Sequence, residues 1–211
     1  MNQNIVITIS REYGSGGRAV GEELARELNV EYYDKDIIKM AAEESGINEG
    51  LFNLTEEKLK GSAISRITRN IYRGELLTPA SRDFTSPENL FSFQAKVIKK
   101  LAETEGCIIV GRCADFVLEG RNNVVRVFIH APKEYRLGEA AKRISMSPRE
   151  LDRYVDKVNR EREVYYEHFT GRKWADAHHF DLCLDASKLG VAKCVELIKG
   201  YMKIRFDGLE Y

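Results

Sequence analysis

The sequence predicts an α/β protein: three layers, α/β/α, built on a five-stranded parallel sheet. Three observations predict it. Short β-branched, apolar runs recur at 5–9, 30–33, 107–110, 124–129 and 180–184. Segments with apolar residues at helical spacing separate them, and strands alternating with helices imply parallel pairing under helices on both faces. The first run passes through a glycine-rich turn directly into a helix. At 211 residues the chain fits one such domain with an insertion.

The first strand and helix organise the rest. Ile5, Val6, Ile7 and Ile9 suit a buried strand. Ser10-Arg11-Glu12-Tyr13-Gly14-Ser15-Gly16-Gly17-Arg18 follows. Val20, Leu24 and Leu28 then recur at helical spacing beside Ala25, with Glu22, Glu23, Arg26 and Glu27 opposite. A strand that turns through glycines into a helix leaves unpaired N–H groups at the positive end of the helix dipole, which is an anion site. The pattern G-x-x-x-x-G-K-[ST] is approached but not met. Arg11 stands at its first glycine, Gly17 at its lysine, and neither Arg18 nor Ala19 supplies the hydroxyl. An ordinary glycine-rich turn of an α/β sheet is the alternative.

Residues 29–34 read as a second strand that ends in Asp34, with Lys35 and Asp36 after it. Ligand crevices of open parallel sheets lie at the carboxyl ends of strands. Asp34 is therefore a candidate for magnesium, directly or through water, or for a substrate hydroxyl. It could equally cap the helix that begins near Asp36. Residues 46–90 are irregular, punctuated by Gly46, Gly50, Gly61, Gly74, Pro79 and Pro87, with helical pieces at 56–60 and 64–72. Arg66, Arg69 and Arg73 share a helix face there, either to take a phosphate-bearing ligand or as a solvated basic face.

The α/β rhythm then resumes. A helix over 90–105 precedes the strand at 107–110, which Gly111-Arg112 closes at the crevice. Asp115 opens a helix over 115–119, and a basic helix is predicted over 133–144. Ser147-Pro148-Arg149-Glu150 has a capping serine, a first-turn proline and a third-position glutamate. The helix it starts runs to Phe169 and ends at Gly171. Its alternating charges fit a salt-bridged solvent helix, or a lid that carries arginines over phosphates. A last helix spans 191–204.

Composition excludes several classes. Lys+Arg and Asp+Glu both number 33, so no overall basic field argues for nucleic acid. No apolar run approaches the roughly 20 residues that cross a bilayer, and Met1-Asn2-Gln3-Asn4 opens no targeting segment. A soluble, cytoplasmic protein with no membrane partner is expected. Cys107, Cys113, Cys183 and Cys194 form no C-x-x-C pair and read as reduced thiols. His178-His179 reads as a polar turn.

Four stretches carry a resemblance. They are Ile7-Thr8-Ile9-Ser10-Arg11-Glu12-Tyr13-Gly14-Ser15-Gly16-Gly17, then Tyr32-Tyr33-Asp34-Lys35-Asp36, then Ile108-Ile109-Val110-Gly111-Arg112. The last is Arg160-Glu161-Arg162-Glu163-Val164-Tyr165-Tyr166 with Phe169-Thr170-Gly171, Trp174 and Asp181-Leu182. Together they resemble the cytidylate kinase-like family of P-loop kinases. The resemblance implies a single kinase-like domain: a core of 1–45, 91–135 and 175–211, an acceptor-binding insertion at 46–90, and a helical lid at 136–174. It implies phosphoryl transfer from ATP with Mg²⁺ to a nucleoside monophosphate, CMP or dCMP first.

Residue by residue, Arg11, Tyr13, Gly14, Ser15, Gly16, Gly17 and Arg18 would take the donor phosphates. Asp34, Arg66, Arg112 and Asp115 would face the acceptor. Arg18, Arg160 and Arg162 would neutralise charge in the transition state. The chain departs from the family's pattern in three places. Gly17-Arg18-Ala19 replaces a lysine-bearing stretch. Cys113 replaces an acceptor-contacting aspartate, with Asp115 the candidate to stand in for it. Asn159 stands near the place of a lid aspartate, with Asp156 the fallback. Arg18 or Arg11 would then carry the lysine's charge with a planar fork instead of a point charge. A kinase-fold nucleotide- or anion-binding protein without efficient catalysis is the alternative. Tyr165, Tyr166, Phe169 and Trp174 could form a homodimer face or pack into the core.

Overall fold

The computed structural model describes residues 4–61 and 71–206. The strands are β1 (Val6–Arg11), β2 (Glu31–Tyr33), β3 (Cys107–Val110), β4 (Val124–His130) and β5 (Leu182–Asp185). The helices are α1 (Gly17–Leu28), α2 (Asp36–Ser45), α3 (Glu49–Gly61), α4 (Pro87–Thr104), α5 (Ala114–Val117), α6 (Lys133–Ala141), α7 (Pro148–Thr170) and α8 (Ala186–Arg205). The strands form one sheet in the order β2-β3-β1-β4-β5, and every pairing is parallel. β1 is central, and its residues Val6 to Ser10 are all buried, as a strand paired on both edges and covered on both faces requires.

Strand alternation splits the core into two layers. Ile7 and Ile9 of β1, with Val110 of β3 and Val127 of β4, pack against Val20 and Leu24 of α1 and Ile198 of α8. Val6, Ile109 and Phe128 face the other way, onto α2, α4 and the C-terminal part of α7. There Phe91 and Phe169 stack with ring centroids 4.2 Å apart. Tyr166, Phe169 and Trp174 are buried in this layer, and Tyr165 packs edge-on against Phe91 and Phe169. These aromatic residues are core residues.

Some boundaries differ from the sequence reading for local reasons. β1 runs on through Ser10 and Arg11, which pair with Phe128 and Ile129 of β4. Arg11 is thus a strand residue and not a loop residue. α3 occupies Glu49–Gly61, longer than the piece predicted at 56–60. Of the helix predicted over 64–72, residues 64–70 lie outside the described residues, and so do Arg66 and Arg69. α8 starts at Ala186, capped by the Asp185 carboxylate on the Ser187 N–H, and kinks at Gly190 (φ 68°). α7 begins as predicted, with a reciprocal Ser147–Glu150 capping box, and ends at the left-handed Gly171. Among the described residues no helix is long and apolar enough to cross a membrane. All four cysteines are free thiols, and Cys183 is the exposed one.

Candidate functional site

The alternation of β1 positions the site's first two side chains. Ser10 continues the Val6–Thr8 side and points at α5, where its hydroxyl lies 3.4 Å from Asp115 Oδ1. Arg11 continues the Ile7–Ile9 side and points at the start of α1. The turn that follows is held from within. The Glu12 N–H donates to the Ile129 carbonyl, and the Glu12 carboxylate accepts from the Ala131 N–H. Gly14 has φ 80°, and a Cβ there would strike the Arg136 carbonyl, so only glycine fits. Ser15 is buried and donates to the Glu12 carbonyl at 2.9 Å, so its hydroxyl shapes the turn from inside. Gly16 (φ 86°) is the N-cap of α1 and has no side chain to cap it; the Gly17 N–H donates to Ser15 Oγ at a long 3.4 Å, and the rest of the helix start is open to an anion.

Asp34 collects the cations. Its carboxylate accepts from Arg18 Nε at 3.2 Å and from Arg18 Nη2, and Arg11 Nη2 lies 3.5 Å away. It does not cap α2, whose N-cap is Lys35 with no side-chain bond. Burial pushes the Asp34 carboxyl up. The guanidinium groups of Arg11, Arg18 and Arg112 outweigh that and hold it below the usual carboxylate range. Arg11 is pushed down by burial, with Asp34 opposing and Arg112 and Arg18 adding repulsion. Arg162 is likewise pushed down by burial, then by Arg11. The end of β3 adds strain. Gly111, Arg112 and Cys113 are successive left-handed residues with φ 78°, 57° and 52°. Such geometry at non-glycine residues costs about 1–3 kcal/mol each and persists where surroundings enforce it.

Two cavities meet at these groups. One, of about 250 Å³, is lined by Ser10, Asp34, Lys35, Arg112, Glu161, Tyr165, Tyr166 and Trp174, among others. The other, of about 150 Å³, lies on the turn against Glu12, Tyr13, Gly14, Gly16 and Gly17, with Glu139 and Arg143 beyond. Arg11, Arg18 and Arg162 line both. α7 closes over the junction. Arg162 Nη1 donates to the Arg11 carbonyl at 2.8 Å, and Asn159 Oδ1 accepts from the Tyr13 N–H at 2.7 Å. The Tyr13 ring lies edge-on to Tyr154 and under the Arg162 guanidinium.

The structure brings Arg11, Tyr13, Gly14, Gly16, Gly17, Arg18, Asp34, Arg112 and Arg162 to these cavities. It does not bring Arg160, which is exposed and pairs with Glu163 along its own helix. Residues two apart on a helix sit about 200° apart, so Arg160 and Arg162 cannot share the face over the cavities. Asp115 is buried behind the wall, where it accepts from Tyr166 Oη at 2.6 Å. Burial pushes its carboxyl up against those hydrogen bonds. Asp115 thus fixes Ser10 and Tyr166, which face the cavity in its place. Sequence reasoning did not assign Val158 or Glu161 to the site. Val158, Glu161, Arg162, Tyr165 and Tyr166 stand at i, i+3, i+4, i+7 and i+8, the one-face spacing that would have found them.

Magnesium demands near-octahedral oxygen ligands. Among the described residues no three His, Cys, Asp or Glu side chains converge. Both Asp34 oxygens face guanidinium groups, and Arg18 occupies the hydroxyl's place. The residues here do not fit a magnesium ion held by the protein.

Solved structures share the fold. An uncharacterized protein from Eubacterium ventriosum superposes with a TM-score of 0.68 at 24% identity, covering 94% of this chain and 98% of its own. A shikimate kinase from Bacteroides thetaiotaomicron gives 0.53 at 15% identity over 94% and 98%. The YorR protein of Bacillus subtilis, solved with phosphorylated GDP, gives 0.51 at 12% identity over 97% and 99%. No curated protein matches the chain. The model of the cytidylate kinase-like family matches residues 6–188. A match of that extent, on a parallel sheet whose first strand leads into an uncapped glycine turn, shows that this chain belongs to the cytidylate kinase-like family.

Proposed function

We propose that the protein is a phosphotransferase that moves a phosphoryl group from ATP to a nucleoside monophosphate, CMP or dCMP first. One observation carries the reading: two adjoining cavities share three arginines. The cavity on the glycine turn takes the donor phosphates, through the Gly14–Gly17 backbone and Arg18. The larger cavity takes the acceptor, with Arg112 on its anionic group. The transferring phosphoryl then sits at the common wall, where Arg11, Arg18 and Arg162 surround it. Phosphoryl transfer is carried by positioning and electrostatics, so guanidinium groups held in place are the machinery required. α6 and α7 act as the lid. Any magnesium would come with the nucleotide's own phosphates.

The fold does not select the acceptor, since solved neighbours include a shikimate kinase and a gluconokinase. The missing loop lysine and hydroxyl favour a second reading, a nucleotide binder with little turnover. Transfer from γ-labelled ATP across a panel of monophosphates decides between the two. Label is expected on CMP or dCMP, with a loss of about 100-fold or more in Arg162→Ala, the range for removing a charge-stabilising group. Nucleotide binding with no transfer to any acceptor would establish the binder.

A further inference from the structure

The turn departs from the usual phosphate-binding pattern at three positions, and the structure joins the three departures into one arrangement. Arg11 replaces the pattern's first glycine, Gly17 its lysine and Arg18 its hydroxyl. A Cβ built on Gly17 would lie 2.5 Å from Arg11 Cβ. An arginine at 11 and a lysine at 17 therefore exclude each other in this backbone. The Arg11 guanidinium runs on beneath Gly111, where a Cβ would collide with its Nη1, and meets Asp34. Arg18 reaches the same carboxylate from α1. Asp34, with only 10% of its side chain exposed, lines the larger cavity and binds two guanidinium groups from two elements, each of which lines both cavities. The larger cavity's charged lining is Arg11, Arg18, Lys35, Arg112 and Arg162 against Asp34 and Glu161.

We infer that Arg11 and Arg18, clamped by Asp34, supply the positive charge that a loop lysine and a protein-held magnesium ion supply in the usual pattern, so that nucleotide phosphates bind here without a divalent cation. A guanidinium is permanently charged and presents paired N–H donors that match phosphate oxygens. A divalent cation would enter beside five cationic side chains, and Asp34, the carboxylate between Arg11 and Arg18, is already engaged by both. Asp34 is on this account a positioning residue for the two arginines. The inference rests on the nucleotide-site reading above and adds to it the source of the charge.

Calorimetric titration of ADP into the whole protein, with magnesium and then with EDTA, tests it. The dissociation constant in EDTA is expected to stay within about threefold of that in magnesium, because charge-assisted guanidinium–phosphate bonds carry the binding. Arg18→Ala, at a side chain 49% exposed and thus tolerant of truncation, is expected to weaken binding in EDTA by about tenfold or more. Arg11→Ala is expected to do the same, its fold checked by circular dichroism, and to make binding newly responsive to magnesium. Binding to the unaltered protein in magnesium alone would overturn the inference and leave the nucleotide site standing. Undiminished EDTA binding in both variants would also overturn it. No binding in either buffer would overturn the inference and the nucleotide site together.

Discussion

Asp34 is a carboxylate whose neighbours are chiefly cations, and its energetics follow from that. Arg11 and Arg18 bond or face it directly, and Arg112 and Arg162 add their fields. Removing one partner of a buried ion pair leaves uncompensated charge, which costs about 3–5 kcal/mol. Asp34→Asn is therefore expected to destabilise the protein by about 3 kcal/mol in urea unfolding. Pyrophosphate should recover more stability in that variant than in the unaltered protein, because an anion then replaces the lost carboxylate among the arginines. The pH dependence has a definite sign. The folded carboxyl titrates below its unfolded value, so its contribution is present above about pH 4 and is lost as pH falls through the lowered folded value. Asp34→Asn should remove that acid-side component. An unchanged acid limb would show that Asp34 is not charged against the arginines.

At the scale of elements, α7 has two halves with different anchors. Its C-terminal end is locked into the core by Phe169 on Phe91, while Leu151 and Val155 form only a small cluster with Ala140 of α6. The middle of the helix lays Asn159 and Arg162 on the glycine turn. Asparagine suits this place because its amide oxygen accepts from the Tyr13 N–H without setting a negative charge beside a phosphate. Asn159→Asp keeps the acceptor and adds the charge, so it is expected to weaken ADP binding by about tenfold, read by calorimetry. Equal affinity would place the phosphates away from the turn. Much of α7 was legible because its signals are local. Ser147 and Glu150 cap it and Gly171 ends it; the 3.6-residue period that separates Arg162 from Arg160 is equally local, yet the sequence reading groups the two. The pairing of Arg11 with Asp34 was not legible, because it depends on β1 extending two residues past its apolar run. Nor was the start of α8, where Gly190 interrupts the apolar spacing that marked only 191–204.

Over the whole molecule, the sheet order sets β1 between β3 and β4, and the chain leaves β1 toward one edge of the sheet and returns to build the other. Open α/β sheets place their ligand crevice at such a switch point, beyond the carboxyl ends of the strands. Arg11 and Arg112 emerge there from β1 and the end of β3. The charge is local: 33 basic residues balance 33 acidic ones overall, yet the crevice is cationic. A local field is screened beyond about 8 Å at physiological salt, so it acts on a docked anion and not at long range. Thermal unfolding reads this out for the entire fold. A ligand at about 100 times its dissociation constant adds about 2.7 kcal/mol, which for a chain of this size raises Tm by about 5–10 °C. ADP and pyrophosphate are both expected to produce an upshift, and adenosine none. Added salt should shrink the pyrophosphate shift more than the ADP shift, because only ADP has a base and a sugar to bury as well. An adenosine shift equal to that of ADP would mean that the crevice recognises the nucleoside and that its arginines serve the fold alone.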